Sequence, residues 1–179
     1  MKYAFRGIVL LYLLSLSPVL CRAERLSVTH DFSTMSSGES PALVCTLSNT
    51  VGTTDFVTYT CSGTDAKFGG AFDYSGLAIN LPAKNAKVTT TEISELVEII
   101  LSCYAAPKTD IKVSVSEDNG SSWTLLTEGV TIDGGGSSIR VVLPRGDYCV
   151  RILNNTATNF SIKQIIWYRD HCNCFKYVP

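Results

Sequence analysis

A short polar segment, Ser116–Trp123 (SEDNGSSW), constrains the fold more than any other part of the chain. Before it, apolar residues occupy every second position from Ile111 to Val115, and after it the same period of two recurs in three short stretches up to Leu143. Such alternation is typical of β-strands, and a short Asn-Gly segment between two of them is typical of a β-hairpin. The segment therefore predicts a hairpin that ends on an indole side chain.

The same segment fits the Asp-box pattern Ser/Thr-x-Asp-x-Gly-x-x-Trp. We expect Asp118 to accept turn N–H bonds, Gly120 to adopt a positive φ, and Trp123 to pack under the hairpin. These are structural roles. Sialidase propellers carry several copies of the pattern on much longer chains, so the single copy here does not indicate catalysis.

Residues 1–23 have the organisation of a signal peptide. Lys2 and Arg6 precede an apolar run from Gly7 to Leu20, and small residues lie three and one positions before a cleavage after Ala23. The run of about 14 residues is shorter than the roughly 20 that a membrane-spanning helix needs. We therefore expect a mature chain of residues 24–179 that is secreted, periplasmic or at the cell surface, with no transmembrane segment after signal removal.

The charge of the mature chain argues against nucleic acid as a partner. Removing residues 1–23 takes away three of the 15 basic residues and none of the 16 acidic ones, which leaves a net charge of −4. Binding to phosphate backbones requires several clustered Lys or Arg side chains, and the sequence shows only the scattered pair Lys84 and Lys87.

An even number of cysteines remains after signal removal, which in an exported chain favours disulfides over a metal site. These are Cys45, Cys61, Cys103, Cys149, Cys172 and Cys174. The tail His171-Cys172-Asn173-Cys174 could hold zinc or copper, but a second ligand pair at finger-like spacing is missing. Because a bridge across one residue is strained, we expect Cys172 and Cys174 to bridge to separate partners, with the pairing left open and no metal or cofactor bound.

Short β-type segments separated by loop signals continue through the mature chain. They cover residues 26–32, 43–47, 56–61, 77–81, 86–91, 96–104, 111–116, 123–130, 139–143, 148–153 and 162–169. Residues 89–103 also allow an amphipathic helix, but frequent β-branched residues favour a strand there. The expected fold is all-β: one two-sheet antiparallel β-sandwich over residues 24–179, jelly-roll-like and disulfide-stapled.

The order of several segments resembles the secreted jelly-roll sandwich modules found beside polysaccharide-active enzymes and surface proteins, particularly in Bacteroidetes. The resemblance covers residues 56–169. Its motifs are Phe68-Gly69-Gly70, Gly76-Leu77-Ala78-Ile79, the stretch VTTTEIS at 88–94, Val113-Ser114-Val115-Ser116 with Gly120-Ser121-Ser122-Trp123, and NFSIKQI at 159–165. The resemblance implies a two-sheet sandwich and a glycan-related role, and it transfers no binding residue.

Aromatic side chains beside hydrogen-bonding groups are what a sugar site requires. The best such cluster is the glycine-bearing loop with Phe68, Phe72, Asp73 and Tyr74, and the second is Trp167, Tyr168 and Tyr177. Rings on strands are more often part of the core, and both tryptophans occupy alternating positions that suit burial.

No catalytic residue is assigned. The chain has two histidines, His30 and His171, without a Gly-x-Ser-x-Gly elbow, and its carboxylates are scattered. We therefore expect a non-catalytic binding module for carbohydrate or another extracellular ligand, such as a protein. The alternatives are a small secreted glycan-active hydrolase and a disulfide-stapled structural or protein-interaction module.

Overall fold

The computed structural model describes residues 22–34, 44–48, 56–63, 65–70, 76–104, 111–127, 130–132 and 137–173. These residues form twelve strands and one short 3-10 helix, Phe32–Thr34. The strands are β1 (Arg22–Asp31), β2 (Val44–Ser48), β3 (Phe56–Ser62), β4 (Lys67–Gly70), β5 (Leu77–Leu81), β6 (Lys87–Thr90), β7 (Ile93–Cys103), β8 (Ile111–Ser116), β9 (Thr124–Leu125), β10 (Val130–Ile132), β11 (Ser138–Asn154) and β12 (Phe160–Asn173). The described ranges contain no helix that is long and apolar enough to cross a membrane.

The strands form two antiparallel sheets that share β11. In the first sheet the order is β4-β5-β12-β7-β11-β10, and β1 pairs with β12. In the second sheet the order is β2-β3-β6-β11-β8-β9. Residues 138–148 of β11 pair in the first sheet, and residues 149–154 pair in the second.

The inner faces of the two sheets meet in one buried cluster. Trp167 on β12 of the first sheet donates its indole N–H to the hydroxyl of Tyr59 on β3 of the second sheet, at 2.9 Å. Both side chains are almost fully buried. Phe32 of the 3-10 helix joins this cluster, and strand residues fill the rest of it, among them Val88, Leu96, Ile99, Leu101, Val113, Ile139, Val141, Ile152, Ile162 and Ile165. The prediction of an all-β fold is therefore confirmed, with antiparallel strands in a sandwich- or barrel-like arrangement.

An irregular stretch interrupts the pairing of β11 with β7. The register shifts between Val142 and Gly146 and again between Gly146 and Tyr148. Opposite this stretch, Glu95 has φ 58°, and its backbone N–H donates to the Asp147 carboxylate at 2.8 Å. Bulges of this kind redirect side chains at the end of a ladder, and this one lies just before β11 passes from one sheet to the other.

The stretch 89–103 is strand on both sides of residues 91–92, as favoured, so the helical alternative is wrong. Two other segments differ from the sequence expectation. Gly69 and Gly70 were expected in a loop but belong to β4, because β5 pairs with them and Asn80 donates its side-chain amide to both of their carbonyls. The turn expected at 144–147 is instead the bulged middle of β11.

The described residues do not support the predicted disulfide staple. No disulfide joins any two of the described side chains, and the thiol of Cys149 is free and buried. Its cross-strand partner on β8 is Ser116, which is not a cysteine, and its Sγ donates to the side-chain oxygen Oδ1 of Asn119 at 3.6 Å. Cys61 and Cys103 are also buried, and the side chains of Cys45, Cys172 and Cys174 lie outside the described residues.

Contacts divide the chain into a large unit, Arg25–Asp170, and a small unit made of the two chain ends, Met1–Glu24 and His171–Pro179. All contacts discussed below lie within the large unit. The predicted signal peptide lies outside the described residues except for residues 22 and 23, which begin β1.

Candidate functional site

The predicted hairpin motif has the local structure that its residues imply. Asp118 Oδ1 accepts the backbone N–H of Ser122 at 2.8 Å and the Ser116 hydroxyl at 2.7 Å, and Oδ2 accepts the Ser122 hydroxyl at 2.6 Å. Gly120 has φ 88°, and its carbonyl accepts the Trp123 indole N–H at 3.1 Å. The hairpin is therefore a rigid support for the residues on either side of it.

Asp118 is ionised at all physiological pH values. The hydrogen bonds from Ser116 and Ser122 lower the pKa of its carboxyl to about 2. A carboxyl with so low a pKa cannot act as a general acid near neutral pH. Asp118 therefore supplies charge and structure to this region, and it does not supply a proton.

An open recess of about 420 Å³ lies beside the hairpin. Its lining combines exposed polar side chains with a few apolar ones: Val115, Ser116, Glu117, Asp118, Ser122, Thr124, Leu126, Pro144 and Tyr148. Among the described residues that line it there is no Lys, Arg or His. The recess can therefore accept hydrogen bonds from a neutral polar ligand, and it repels an anionic one.

Tyr148 supplies a hydrogen-bond donor to the recess. Tyr148 is only 5 % exposed as a whole, but its hydroxyl, which makes no hydrogen bond with any described residue, keeps access to solvent. Burial raises the pKa of the hydroxyl, and the charges of Glu117 and Asp147 raise it further, so the group stays protonated. A hydroxyl without a protein partner on a residue that lines a recess bonds to water, and a ligand hydroxyl can take the place of that water.

The bulge of β11 holds Tyr148 in place. A Cβ atom at Gly146 would lie 2.6 Å from Tyr148 Cζ, so only glycine lets the ring lie flat against the backbone there. The ring is covered on that side and offers no open stacking platform. The hydroxyl oxygen lies at the same edge, 2.7 Å from where a Cβ at Gly146 would be, so Gly146 fixes the position of the hydroxyl as well as that of the ring.

The predicted aromatic platform at 68–74 is described at one residue only. Phe68 is partly buried and packs against the core, with its ring 6.0 Å from that of Phe32 in an edge-on arrangement. Phe72, Asp73 and Tyr74 lie outside the described residues. The platform as a ligand site therefore stays a prediction, and Phe68 is the member whose packing argues for a core role.

The second aromatic cluster is separated by the fold. Trp167 is 1 % exposed and hydrogen-bonded in the core, whereas Tyr168 is partly exposed and carries the guanidinium of Arg25 over its ring at 4.6 Å. Tyr177 lies outside the described residues. The burial of Trp167, which the alternation along its strand predicted, is confirmed.

Sequence reasoning missed Tyr148 because its place beside the recess depends on a bulge. A strand from 148 to 153 was expected, but neither the glycine two residues earlier nor the pairing with β7 revealed that the hydroxyl would face a recess. The Asp-box motif could have pointed to the recess, because several of its residues line it. Within the described residues, no group of three or more His, Cys, Asp or Glu side chains is placed to hold a metal ion.

No protein-family model and no curated protein matches the chain. Among solved structures, a CBM35 from Cellvibrio japonicus Abf62 is 18 % identical over 84 % of this chain and 99 % of its own, with a TM-score of 0.35. A Xyl-CBM35 in complex with a glucuronic acid containing disaccharide is 17 % identical over 77 % of this chain and 90 % of its own, with a TM-score of 0.31. Both TM-scores are low, and we derive function from the contacts of this chain instead.

Proposed function

We propose that the chain is an exported, non-catalytic β-sandwich module of jelly-roll type that binds neutral carbohydrate in the recess beside the hairpin. The observation that carries the proposal is the Tyr148 hydroxyl, a protonated donor that lines the recess and makes no hydrogen bond with the described protein. Around it lie hydroxyl and carboxylate acceptors of Ser122, Thr124 and Glu117. A sugar presents hydroxyls that both donate and accept, and this lining matches them.

The size and openness of the recess support a short saccharide as the ligand. A volume of about 420 Å³ falls in the range of small-molecule pockets and suits one or two sugar rings. Leu126 and Pro144 provide apolar surface for the C–H faces of a ring. Catalysis is not part of the proposal, since Asp118 is held ionised and cannot serve as the acid of a carboxylate pair.

The test is a glycan array probed with the purified protein, followed by titration of the strongest neutral binder. Replacing Tyr148 by Phe removes only the hydroxyl. We expect about fivefold to tenfold weaker binding, the value of one hydrogen bond of about 1 kcal/mol, and an unchanged melting temperature because no protein partner is lost. Glu117→Gln tests the acceptor beside it.

Tyr168→Phe is the matched control. It removes the same atom from a partly exposed tyrosine on the first sheet, outside the lining of the recess. Binding by this variant should equal that of the wild type. The proposal is wrong if no neutral glycan binds, or if Tyr148→Phe and Tyr168→Phe bind the selected glycan equally well.

A further inference from the structure

The outer face of the second sheet carries an arginine whose charge has no ion-pair partner among the described residues. Arg151 on β11 makes no hydrogen bond and no ion pair with any described residue. Its Nε atom is buried away from solvent and has no polar partner among those residues. Its guanidinium lies 4.5 Å from the centre of the Trp123 ring. The Trp123 ring fixes the position of the guanidinium, and the N–H groups of Arg151 make no hydrogen bond with the described protein. This is the arrangement of a preorganised anion site.

Neighbouring side chains extend this charge into a surface. Directly across the strands, Arg151 pairs in register with Thr89 on β6, and Thr89 pairs with Thr60 on β3. Two residues further along β11, Leu153 lies between Lys87 on one side and Lys112 on the other. Residues opposite each other in register share a face, so we call Thr60, Lys87, Thr89, Lys112 and Arg151 the Arg151 face.

The strands of the Arg151 face contribute no negative charge of their own, and the charges of Glu92 and Asp118 act at Cys149, on the side of Arg151 away from Lys87 and Lys112. The described sequences of β3, β6, β8 and residues 149–154 contain no Asp or Glu. Lys87 and Lys112 are two strand spacings apart, about 10 Å, with Arg151 beside the line that joins them. Three cations spread over a flat, hydroxyl-bearing surface match a ligand with several spaced anionic groups better than a single small anion.

We propose that the Arg151 face binds an acidic polysaccharide, whose sulfate or carboxylate groups pair with Arg151, Lys87 and Lys112. The Thr89 hydroxyl donates to the Thr60 backbone carbonyl at 3.3 Å and can accept from a sugar hydroxyl, whereas the Thr60 hydroxyl can donate or accept. Partial burial lowers the pKa of the Arg151 guanidinium from its ordinary value, so pairing with an anion compensates a charge that has lost part of its hydration. This site is distinct from the anion-repelling recess, and the proposal holds whether or not the recess binds sugar.

A saccharide is favoured over nucleic acid by two features. Arg151 covers one face of the Trp123 ring, so that face is not available for stacking a base. The mature chain as a whole carries a net charge of −4, which opposes the long-range attraction of a densely charged duplex.

The test uses dextran sulfate as the probe and unmodified dextran as its neutral counterpart, with binding measured by titration calorimetry at several salt concentrations. We expect binding to dextran sulfate that weakens as salt rises, and none to dextran. Arg151→Gln should weaken the binding about tenfold or more. The double variant Lys87→Gln with Lys112→Gln leaves the stack on Trp123 intact and should also weaken it severalfold.

Three controls make the result decisive. Lys67→Gln removes an exposed charge from β4 in the other sheet and should leave dextran sulfate binding unchanged. Tyr148→Phe should also leave it unchanged, which separates this site from the recess. Polygalacturonate in place of dextran sulfate shows whether carboxylates serve as well as sulfates.

The proposal is overturned by any of three results. The first is that dextran sulfate does not bind. The second is that Lys67→Gln weakens binding as much as Arg151→Gln, which would indicate unspecific charge attraction. The third is that duplex DNA displaces dextran sulfate at equal concentration of charge, which would indicate a nucleic-acid surface.

Discussion

His30 should make the stability of this protein sensitive to mild acid. The side chain is 4 % exposed, and its Nδ1 lies 2.6 Å from the Tyr59 hydroxyl. Trp167 donates its N–H to that hydroxyl and also approaches Nδ1 at 3.3 Å, so the ring is a neutral acceptor at Nδ1 with its proton on Nε2. Nε2 is buried and has no hydrogen-bond partner among the described residues.

Burial lowers the pKa of His30 from 6.5 to about 4. The unfolded chain therefore binds this proton more tightly than the folded one, and acid favours unfolding. The contribution of His30 is fully present above pH 6.5, is lost progressively as the pH falls to about 4, and changes no further below that. A shift of this size corresponds to at most about 3 kcal/mol of the free energy of unfolding.

Urea denaturation followed by tryptophan fluorescence, from about pH 8 to about pH 4, measures this loss. The matched variant is His30→Gln, which keeps a polar side chain but does not titrate. The difference in slope between wild type and variant isolates His30 from the carboxyl groups that also titrate in acid. Parallel pH profiles for the two proteins would refute the reasoning, as would a wild type that gains stability on acidification.

Two further predictions concern Gly146 and Cys149. Gly146→Ala should destabilise the protein by about 1 to 3 kcal/mol, because its methyl group would collide with the Tyr148 ring, whereas Gly69→Ala should cost little, since nothing lies within 4 Å of the added atom; urea titration compares them. Cys149 should resist iodoacetamide in the folded protein and react after unfolding, because burial, helped by the charges of Glu92 and Asp118, raises the pKa of its thiol. Mass spectrometry that finds Cys149 in a disulfide would contradict this.

The sequence was most informative where a local pattern decides the structure. Strands β5 and β8 were predicted with their observed bounds, because their alternation is bounded by turn residues on both sides. The Asp-box hairpin was predicted down to the acceptor role of Asp118, since all its hydrogen bonds join residues within a few positions of each other.

The parts that sequence reasoning missed depend on contacts between distant segments. Gly69 and Gly70 are strand because β5 is beside them, and Pro144–Asp147 continues β11 because β7 pairs on both sides of the bulge. The site at Tyr148 and the face around Arg151 are missed for the same reason. Neither residue belongs to a motif, and the properties of both come from neighbours that only the folded chain provides.

The position of β11 in both sheets limits which parts of this protein can unfold locally. Its 17 residues supply ladder hydrogen bonds to both sheets, so neither sheet can separate from the other strands without breaking pairs along β11. Local opening should therefore be confined to the outer strands and the bulge, and paired amide hydrogens in residues 138–142 and 149–154 of β11 should exchange only when the whole molecule unfolds. Tyr148 and Arg151 lie three residues apart on this strand, so any ligand held by either residue is anchored to the slowest-exchanging segment of the chain.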